Sequence, residues 1–310
     1  MRKYVIQRFL QLIPVLIGIT FLSFAMMRMA GSDAITEMYG DKGAVAQEVI
    51  DAKRAELGLD KPFVQQYFSW LGGMLTGDMG KSYVSGRDVF KTFTSKLPAT
   101  LLLTALSIVA TVVISIPLGV LAAVRHDKLT DYLLRFLSFI GNSLPNFFVA
   151  MLLMEVLAIK LGWLPVISNG TTLRSAIMPT LTLAIAMSAK YTRQVRTAVL
   201  EELNSDYVIG ARARGVKDSK ILWGNVFPNS LLPLITMLGL SVGSLLGGTS
   251  VVEVIFSYPG LGNLAVNAIT SADYFLVQGY VLWVAVIYMV VNLLVDISYN
   301  YIDPRMRLKR

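Results

Sequence analysis

The sequence contains no cysteine and only one histidine, His126, among its 310 residues. The lack of cysteine excludes disulfides, thiolate metal sites and thiol catalysis. A single histidine cannot build a histidine-rich metal site, and its place between Arg125 and Asp127 indicates a solvated, charged connection. We therefore predict no catalytic residues and no metal site in this chain.

Charged residues are also scarce, since they make up 15% of the chain whereas 55% of it is hydrophobic. This composition excludes an ordinary soluble domain and is typical of a membrane protein with several spans. At this length we expect one membrane domain without a separate soluble enzyme. The net charge of +8 is better explained by basic residues at the cytoplasmic ends of membrane helices than by nucleic-acid binding, so we expect no nucleic-acid partner.

Long apolar runs predict six membrane-spanning helices and therefore an all-α fold. The expected spans are residues 9–29, 99–124, 133–161, 175–198, 229–252 and 277–301. The third is interrupted by Gly141-Asn-Ser-Leu-Pro145, and such a break is tolerated where protein or a water-filled path covers the freed backbone. The apolar run of the fourth, residues 176–189, is short for a span.

The distribution of lysine and arginine predicts how these spans are oriented. Basic residues concentrate at the N-terminus, after the second and fourth spans and in the tail, whereas the short outer connections hold only Arg174. We therefore expect both termini in the cytoplasm, a long extracytoplasmic loop at residues 30–97 and a cytoplasmic segment at residues 190–228. Within the outer loop, residues 44–57 predict a helix that ends at Gly58. Four aromatic residues of the loop predict a belt at the membrane–water interface, namely Phe63, Tyr67, Phe68 and Trp70.

One stretch of the outer loop resembles the end of a phosphate-binding loop without matching the whole motif. Gly80-Lys81-Ser82 supplies its last three residues, but Leu75 stands where its first glycine is required, and no predicted strand precedes it. We therefore expect no nucleotide cofactor on this chain.

The segment Lys190–Pro228 is a basic, semi-polar stretch between the fourth and fifth spans. Its pattern predicts a short helix, a break and a second helix. Ser205 is a favourable N-cap, and Gly215 suits the left-handed position that ends a helix. Asp218 or Ser219 is expected to cap the next helix. A rigid helix of this kind suits the docking of a partner, although an ordinary cytoplasmic loop would show the same signals.

Polar residues and glycines within the spans suggest a transport path and close helix contacts. Carboxylates in a membrane are costly and usually functional or paired; Glu155 lies deep in its span, whereas Glu253 and Asp296 are expected at span ends. The candidates for lining a path are Asn142, Ser143, Glu155, Ser241 and Ser244. Three glycines at intervals of four predict close helix packing, namely Gly239, Gly243 and Gly247.

Several short motifs follow one another in an order that resembles the inner-membrane permease subunits of ABC importers for dipeptides, oligopeptides and nickel. The motifs are Leu57-Gly-Leu-Asp-Lys-Pro62, Gly77-Asp-Met-Gly-Lys-Ser-Tyr83, Ser143-Leu-Pro-Asn-Phe147, Tyr258-Pro-Gly-Leu-Gly262 and Asp303-Pro304-Arg305. Each motif is short, but their order over nearly the whole chain is specific.

This resemblance implies a type I ABC importer permease fold, in which Lys190–Pro228 is the EAA loop and its short coupling helix docks on an ATPase subunit. Gly215 matches the signature glycine of that loop and Pro228 its closing proline, whereas Ile209 stands where the general consensus has glutamate. The residues expected to couple to the ATPase are Tyr207, Ile209, Ala211, Arg212, Ala213, Arg214 and Gly215.

The resemblance also implies partners and cargo. A second, similar permease, two ATP-binding cassette ATPase subunits and an extracytoplasmic substrate-binding protein would complete an importer in the cell inner membrane. ATP and Mg would be bound by the ATPase subunits and not by this chain. The expected cargo is short peptides, or nickel and other metal chelates.

Other classes of function are weighed against this one. An ion-gradient-driven secondary transporter or channel predicts inverted repeats or paired charges near the membrane midplane, and the sequence shows no convincing repeat. An intramembrane enzyme needs a catalytic constellation, which one histidine and no cysteine do not supply. A structural scaffold predicts that uptake persists when the chain is deleted.

Overall fold

The computed structural model describes residues 2–29, 47–56, 58–168 and 170–302, and this part of the chain is helical without a named strand. The predicted all-α class is therefore confirmed for the described residues. The tail motif Asp303-Pro304-Arg305 lies outside them. The helices are α1 (Arg2–Met29), α2 (Gln47–Glu56), α3 (Phe63–Thr76), α4 (Val89–Val124), α5 (Leu129–Ser143), α6 (Asn146–Leu153), α7 (Leu173–Leu203), α8 (Asp206–Ala213), α9 (Asp218–Ile221), α10 (Phe227–Gly248), α11 (Ser250–Ile255), α12 (Leu261–Thr270) and α13 (Tyr274–Ile302). Two π-helical stretches, Met154–Lys160 and Leu222–Val226, continue α6 and α9.

The chain forms two compact units. The first contains Met1–Thr100 with Pro259–Met289, and the second contains Leu101–Tyr258 with Val290–Arg310.

The core of the first unit contains aromatic residues that we expected at a membrane surface. Tyr67 and Trp70 are 4% and 7% exposed and pack against Phe24 at ring-centroid distances of 5.5 and 6.1 Å. The predicted interfacial belt is therefore wrong for these two side chains, although Phe68 is 63% exposed. The reason is helical periodicity: positions 63, 67 and 70 share one face of α3, and that face packs on α1.

Hydrogen bonds within this first unit join Ser82 and the start of α4 to residues near α12 and α13. The Ser82 hydroxyl donates to Oδ2 of Asp273 at 2.5 Å, and Thr100 Oγ1 accepts the Leu261 amide at 2.7 Å. The predicted helix of residues 44–57 is found as α2 and ends at Gly58, which has φ +65°. Residues 44–46 and 57 lie outside the described residues.

In the second unit, α7 packs against α5, α6 and α10, and glycines allow a very close approach of its neighbours. A Cβ atom on Gly119 of α4 would lie 2.5 Å from Val195 Cβ, and one on Gly141 of α5 would lie 2.9 Å from Ala189 Cβ. Because real side chains do not approach this closely, only glycine fits these two contacts without a backbone shift.

The interruption predicted in the third span is confirmed. Helix α5 ends at Ser143, α6 begins at Asn146, and the two directions differ by 100°. Leu144 is extended with ψ 129°, as expected for a residue before proline, and Pro145 precedes the first residue of α6. The predicted span 133–161 is thus two helices at a sharp angle.

The helices of the described residues differ in their suitability for crossing a membrane. Val89–Val124 and Tyr274–Val295 are long and apolar enough, with mean hydropathies of 2.5 and 2.0. Up to four spans result if each of two bent pairs counts as one, and Ile13–Met29 is apolar but shorter. The predicted fourth span lies within the 31-residue helix α7, but Lys190, Arg193 and Arg196 make the C-terminal half of that helix polar.

Candidate functional site

The segment between α7 and α10 has the helix, break and helix that its sequence predicts. After α7 ends at Leu203, the short helix α8 runs over Asp206–Ala213 and α9 begins at Asp218. The π-helical stretch Leu222–Val226 then leads directly into α10.

Ser205 is at the predicted N-cap position of α8, but its side chain does not cap the helix. Its backbone is extended with ψ 152°, while its hydroxyl donates to the Glu202 carbonyl at 2.6 Å. The prediction of position is confirmed and the prediction of side-chain capping is wrong. The physical reason is that the carbonyls at the end of α7 compete for the serine hydroxyl.

Gly215 ends α8 in the left-handed conformation that we predicted, with φ +75°. Its amide donates to the Arg212 carbonyl at 2.9 Å, and the Val216 amide donates to the Ala211 carbonyl at 3.2 Å. This pair of bonds is a Schellman motif, and it satisfies carbonyls that the helix end leaves without partners.

Asp218 does not cap the next helix as we expected. Lys217 occupies that position without a side-chain bond, and Oδ1 of Asp218 instead accepts from Nε of Arg212 at 2.9 Å. This ion pair spans the turn between α8 and α9. Both side chains are more than half exposed, so it contributes little stability.

One face of α8 is anchored in the hydrophobic core of the second unit. Val208 is fully buried, and Ala211 and Val216 pack against the same cluster. The buried members of this cluster come from α4, α7, α8, α9, the following π-helical stretch and α10; they are Val120, Ala123, Val195, Val199, Val208, Ile221, Val226 and Leu234. A displacement of α8 therefore has to be shared with the ends of long helices.

Most of the other predicted coupling residues are exposed. Ile209 is 59% exposed and Tyr207 is 37% exposed, and the exposed residues at the C-terminal end of α8 are Arg212, Ala213, Arg214 and Gly215. Ala211 differs because it is half-buried. Trp223, which sequence reasoning did not select, is 56% exposed and packs edge-on against Phe227 at 5.3 Å.

Tyr207 connects α8 to both neighbouring long helices. Its hydroxyl donates to Oε2 of Glu202 at 2.7 Å and accepts from Nδ2 of Asn229 at 3.4 Å. Burial, together with the hydrogen bond to the Glu202 carboxylate, raises the pKa of Tyr207 above its ordinary value. The phenol is therefore a neutral donor that holds the orientation of α8.

A cavity of about 360 Å³ lies beside this site, with Leu203, Arg212 and Ile221 among its lining residues.

An ion pair that sequence reasoning missed connects α5 to α7. Nε and Nη2 of Arg196 donate to the two oxygens of Asp131 at 2.6 and 2.8 Å, and Asp131 has no exposed surface. Arg135 approaches the same carboxylate at 3.6 Å. The two partners are 65 residues apart, and the only local signal was a carboxylate at the start of an apolar helix.

His126, Asp127 and Asp131 are close enough for their ligand atoms to lie within 4.8 Å of one another. Both Asp131 oxygens are already bound by Arg196. A cation would have to displace that arginine, so the geometry does not favour a metal site here.

The candidate path residues lie mostly at the surface of the chain. Asn142, Ser143, Glu155 and Ser244 are exposed, and Glu155 pairs with Lys160 at 3.4 Å. Ser241 is half-buried, its hydroxyl lies 2.6 Å from the Tyr191 hydroxyl, and its carbonyl accepts from Ser244 at 3.0 Å.

Glu253 lies in the short helix α11 that follows α10, and its side chain is fully buried. One of its oxygens accepts from the Thr249 hydroxyl at 3.0 Å. Asp296 lies in α13, but its side chain is outside the described residues.

The three glycines of α10 that we predicted for close packing are in different environments. A Cβ atom on Gly239 would lie 2.1 Å from Val295 Cγ2, so the predicted close packing is confirmed there. Gly243 is buried, whereas Gly247 is exposed and has no atom within 4 Å of a Cβ position.

The sequence matches two family descriptions that together cover most of its length. Residues 115–308 match "Binding-protein-dependent transport system inner membrane component", and residues 1–104 match the N-terminal description "Binding-prot-dependent transport system membrane comp, N-term".

Full-length relatives agree with these matches. The chain is 40% identical to the oligopeptide transport system permease protein AppB of Bacillus subtilis, over 98% of this chain and 99% of AppB. It is 36% identical to the glutathione transport system permease protein GsiC of Escherichia coli K12, over the whole of both chains.

Solved structures show the same fold at lower identity. A chain of the MetNI methionine ABC transporter, in inward-facing conformations, matches with a TM-score of 0.58 and 16% identity over 68% of this chain and 96% of its own. An amino acid ABC transporter with histidines matches with a TM-score of 0.50 and 19% identity over 70% of this chain and 94% of its own.

Proposed function

The chain belongs to the inner-membrane components of binding-protein-dependent transport systems, and on that premise we propose that α8 is its coupling helix. It is a permease subunit of an ABC importer of the peptide family, and ATP hydrolysis is the work of partner subunits. The family membership decides against an importer driven by an ion gradient alone.

One observation carries the proposal: α8 is fixed on its inner side and exposed on its outer side. Val208 is buried among residues of α4, α7 and α10, while Ile209 is 59% exposed. A helix of this kind can transmit the movement of a docked protein, because Val208 cannot be displaced unless the long helices packed around it also move. Ile209 beside Arg212 and Arg214 gives α8 an apolar contact next to charged donors, a combination that docking surfaces use.

The docked partner is an ATPase subunit. The contacts we propose are those of the exposed positions Tyr207, Ile209, Arg212, Ala213, Arg214 and Gly215. Ala211 contributes from the inner side, since its small side chain fits against the core of the second unit. Ile209 supplies an apolar contact at the position where the general consensus of such loops has glutamate.

The rest of the importer follows from the family. Its members work with ATPase subunits and a substrate-binding protein. We infer that a second, different permease subunit completes the path, that ATP and Mg bind only to the ATPase subunits, and that this chain contributes no metal site.

The membrane arrangement is also part of the proposal. Six spans with both termini in the cytoplasm would place α8 on the cytoplasmic side of the inner membrane and the 30–97 loop on the outer side. The support for this is the distribution of basic residues together with the likeness to solved ABC transporter chains. The path residues Asn142, Ser143, Glu155, Ser241 and Ser244 would then face the second permease or the path itself.

The cargo is a short peptide. This rests on relatives whose names specify oligopeptide and glutathione transport, and glutathione is itself a small peptide. Neither these relatives nor the side chains of this protein give specific support for nickel.

The experiment is a pair of matched substitutions, Ile209→Asp and Ile167→Asp. The two isoleucines are equally exposed, at 59% each, but only Ile209 is on α8. The complete importer is purified through a tag on this chain, and copurified ATPase subunits and peptide-stimulated ATP hydrolysis are measured. We expect Ile209→Asp to lose at least about tenfold of both signals, as burying a charge in an interface costs more than 1.4 kcal/mol. If Ile209→Asp behaves like Ile167→Asp, α8 is not the coupling helix.

A further inference from the structure

The cavity of about 360 Å³ beside α8 lies between that helix and the ends of its neighbours. All seven residues of its wall belong to the second unit. Four of them are apolar and come from the ends of α4, α7 and α9 and from the π-helical stretch after α9; they are Val124, Leu203, Ile221 and Leu222. The volume lies near the lower end of the range for small-molecule sites, roughly 300–1,000 Å³, so an occupant would be small.

The apolar part of the wall is continuous with the hydrophobic core that anchors α8. Ile221 is 1% exposed and belongs to the buried cluster that contains Val208, and Leu203 and Leu222 pack against the same cluster. An apolar cavity offers water few hydrogen-bond partners, and empty cavities of this kind bind small apolar molecules such as benzene. The wall therefore favours an occupant with an apolar body.

The rim of the cavity is polar. The other three wall residues, Arg212, Asp218 and Ser219, are all exposed. Nε of Arg212 donates to Oδ1 of Asp218 at 2.9 Å. That bond uses Nε and not the two Nη groups, so the guanidinium keeps a pair of donors that matches a second carboxylate. An anionic group on the occupant could therefore bind at the rim while the apolar body fills the cavity.

The charge around the cavity favours an anion over a cation. The two charged residues of the wall balance each other, but Arg125, Lys217 and Lys220 are exposed and each follows or precedes a wall residue in the sequence. The single acidic residue placed in the same way outside the wall, Glu202, already accepts a hydrogen bond from a tyrosine hydroxyl. A locally positive surface raises the concentration of anions near it.

We propose that this cavity binds a small apolar carboxylate, with its hydrocarbon body against Leu203 and Ile221 and its carboxylate on the Nη groups of Arg212. Binding of this kind requires no ATPase subunit. If α8 is the coupling helix, an occupant would compete with the docked subunit for Arg212. That consequence rests on the proposed function, whereas the binding itself does not.

The test uses the full chain, purified in detergent and titrated by calorimetry with phenylacetate, and the same titration into detergent alone is subtracted. We expect saturable binding. Phenylacetamide has the ring without the charge, and acetate has the charge without the ring. Each should bind at least about fivefold more weakly, because each lacks one of the two contacts. Phenethylamine should also bind at least about fivefold more weakly, because its cation would meet a positive surface.

Substitutions of exposed side chains locate the site. Arg212→Gln removes the paired donors and should weaken phenylacetate binding at least about fivefold. Asp218→Asn removes the competing carboxylate and should strengthen binding by about twofold or more. The matched control is Arg214→Gln, because Arg214 is an exposed arginine just after α8 that lies outside the wall. It should change the affinity by less than about twofold, since it alters only the surrounding charge.

Three results would overturn the proposal. They are a lack of saturable phenylacetate binding to the unmodified chain, binding of phenethylamine as tight as that of phenylacetate, and an affinity that Arg212→Gln leaves unchanged. If Arg212→Gln does not give a folded chain in a thermal melt, the comparison of ligands on the unmodified chain and the Asp218→Asn variant decide the matter. Because binding is measured on this chain alone, its failure would leave the proposed coupling untouched, and a failure of coupling would leave this site untouched.

Discussion

Gly215 follows the C-terminal end of α8, and its backbone conformation restricts which residues can replace it. Its φ of +75° places it in the left-handed region, yet a Cβ atom there would meet nothing within 4 Å. Backbone strain, and not crowding, is therefore what a substitution at this position would introduce.

We predict that Gly215→Ala lowers peptide transport several-fold while Gly215→Asn keeps most of it. A non-glycine residue in the left-handed region costs about 1–2 kcal/mol, and asparagine is among the residues that visit this region most readily. Transport is measured in vesicles that contain the reconstituted importer, with ATPase copurification as the check on assembly. Equal loss in both variants would show that the exposed surface of Gly215, and not its conformation, is what matters.

The ion pair between Asp131 and Arg196 is the second feature at the scale of single residues, and here the constraint is buried charge. Asp131 has no exposed surface and Arg196 has a side chain that is 15% exposed, so each charge depends on the other. Removing Arg196 leaves the buried Asp131 carboxylate with the Asp127 amide at 3.1 Å and Arg135 at 3.6 Å, which do not replace the two short bonds that Arg196 donates.

We predict that Arg196→Met destabilises the purified chain by about 3–5 kcal/mol, the usual cost of breaking a buried pair. The control is Arg212→Met, which breaks the exposed pair with Asp218 and should cost no more than about 1 kcal/mol. Thermal or denaturant unfolding in detergent measures both. A double variant, Asp131→Leu with Arg196→Met, should recover part of the loss, and its failure to do so would argue against the pair as the cause.

At the scale of helices, local signals predicted the helices between α7 and α10 well. The positions of Ser205 and Gly215 located both ends of α8, because capping preferences and the left-handed glycine depend only on neighbouring residues. The interruption at Pro145 was predictable for the same reason. The hydrogen bonds of the expected capping side chains were not predictable. The Ser205 hydroxyl donates to the Glu202 carbonyl, and Asp218 accepts from Arg212, instead of capping a helix.

Local capping and turn preferences could not predict contacts between segments that are far apart in the sequence. The pairing of Asp131 with Arg196 and the burial of Glu253 depend on how helices pack, which the sequence pattern alone does not specify. The aromatic residues of α3 could have been assigned better, because their i, i+4, i+7 spacing is that of a buried face. Interpreting them as an interfacial belt ignored that period.

Close helix packing gives the prediction at this scale. Gly119→Ala places a Cβ atom 2.5 Å from Val195 Cβ and 2.8 Å from the Thr192 carbonyl oxygen. We expect this single methyl group to destabilise the chain by about 1–3 kcal/mol, because α4 and α7 would have to move apart. Gly247→Ala adds the same group to a helix position with open space and should be neutral or slightly stabilising. Unfolding midpoints of the two variants decide the matter, and equal midpoints would contradict the close contact.

At the scale of the whole molecule, composition alone indicated a membrane protein and the order of the motifs indicated its family, which the relatives confirm. The number of spans is a harder question for physical reasons. Helices α5 and α6 meet at 100°, and α7 carries Lys190, Arg193 and Arg196 in its second half. A simple membrane span is one straight apolar helix, and neither of these segments has that form. The number and orientation of the spans therefore need a direct test.

The lack of cysteine makes that test clean, because any introduced thiol is the only one in the chain. We predict that a membrane-impermeant maleimide labels the Ile167→Cys chain in intact cells, and labels the Ile209→Cys chain only after the membrane is opened. Both positions are 59% exposed, so a difference in labelling reports the side of the membrane and not burial. The chain is expressed without ATPase subunits, because a docked subunit would cover Ile209.

Labelling of both positions from outside would contradict the cytoplasmic placement of α8, and with it the proposed coupling. If the expected pattern is found, repeating it with the ATPase subunits present should protect Ile209→Cys even in opened membranes, since the same surface would then be buried in the interface.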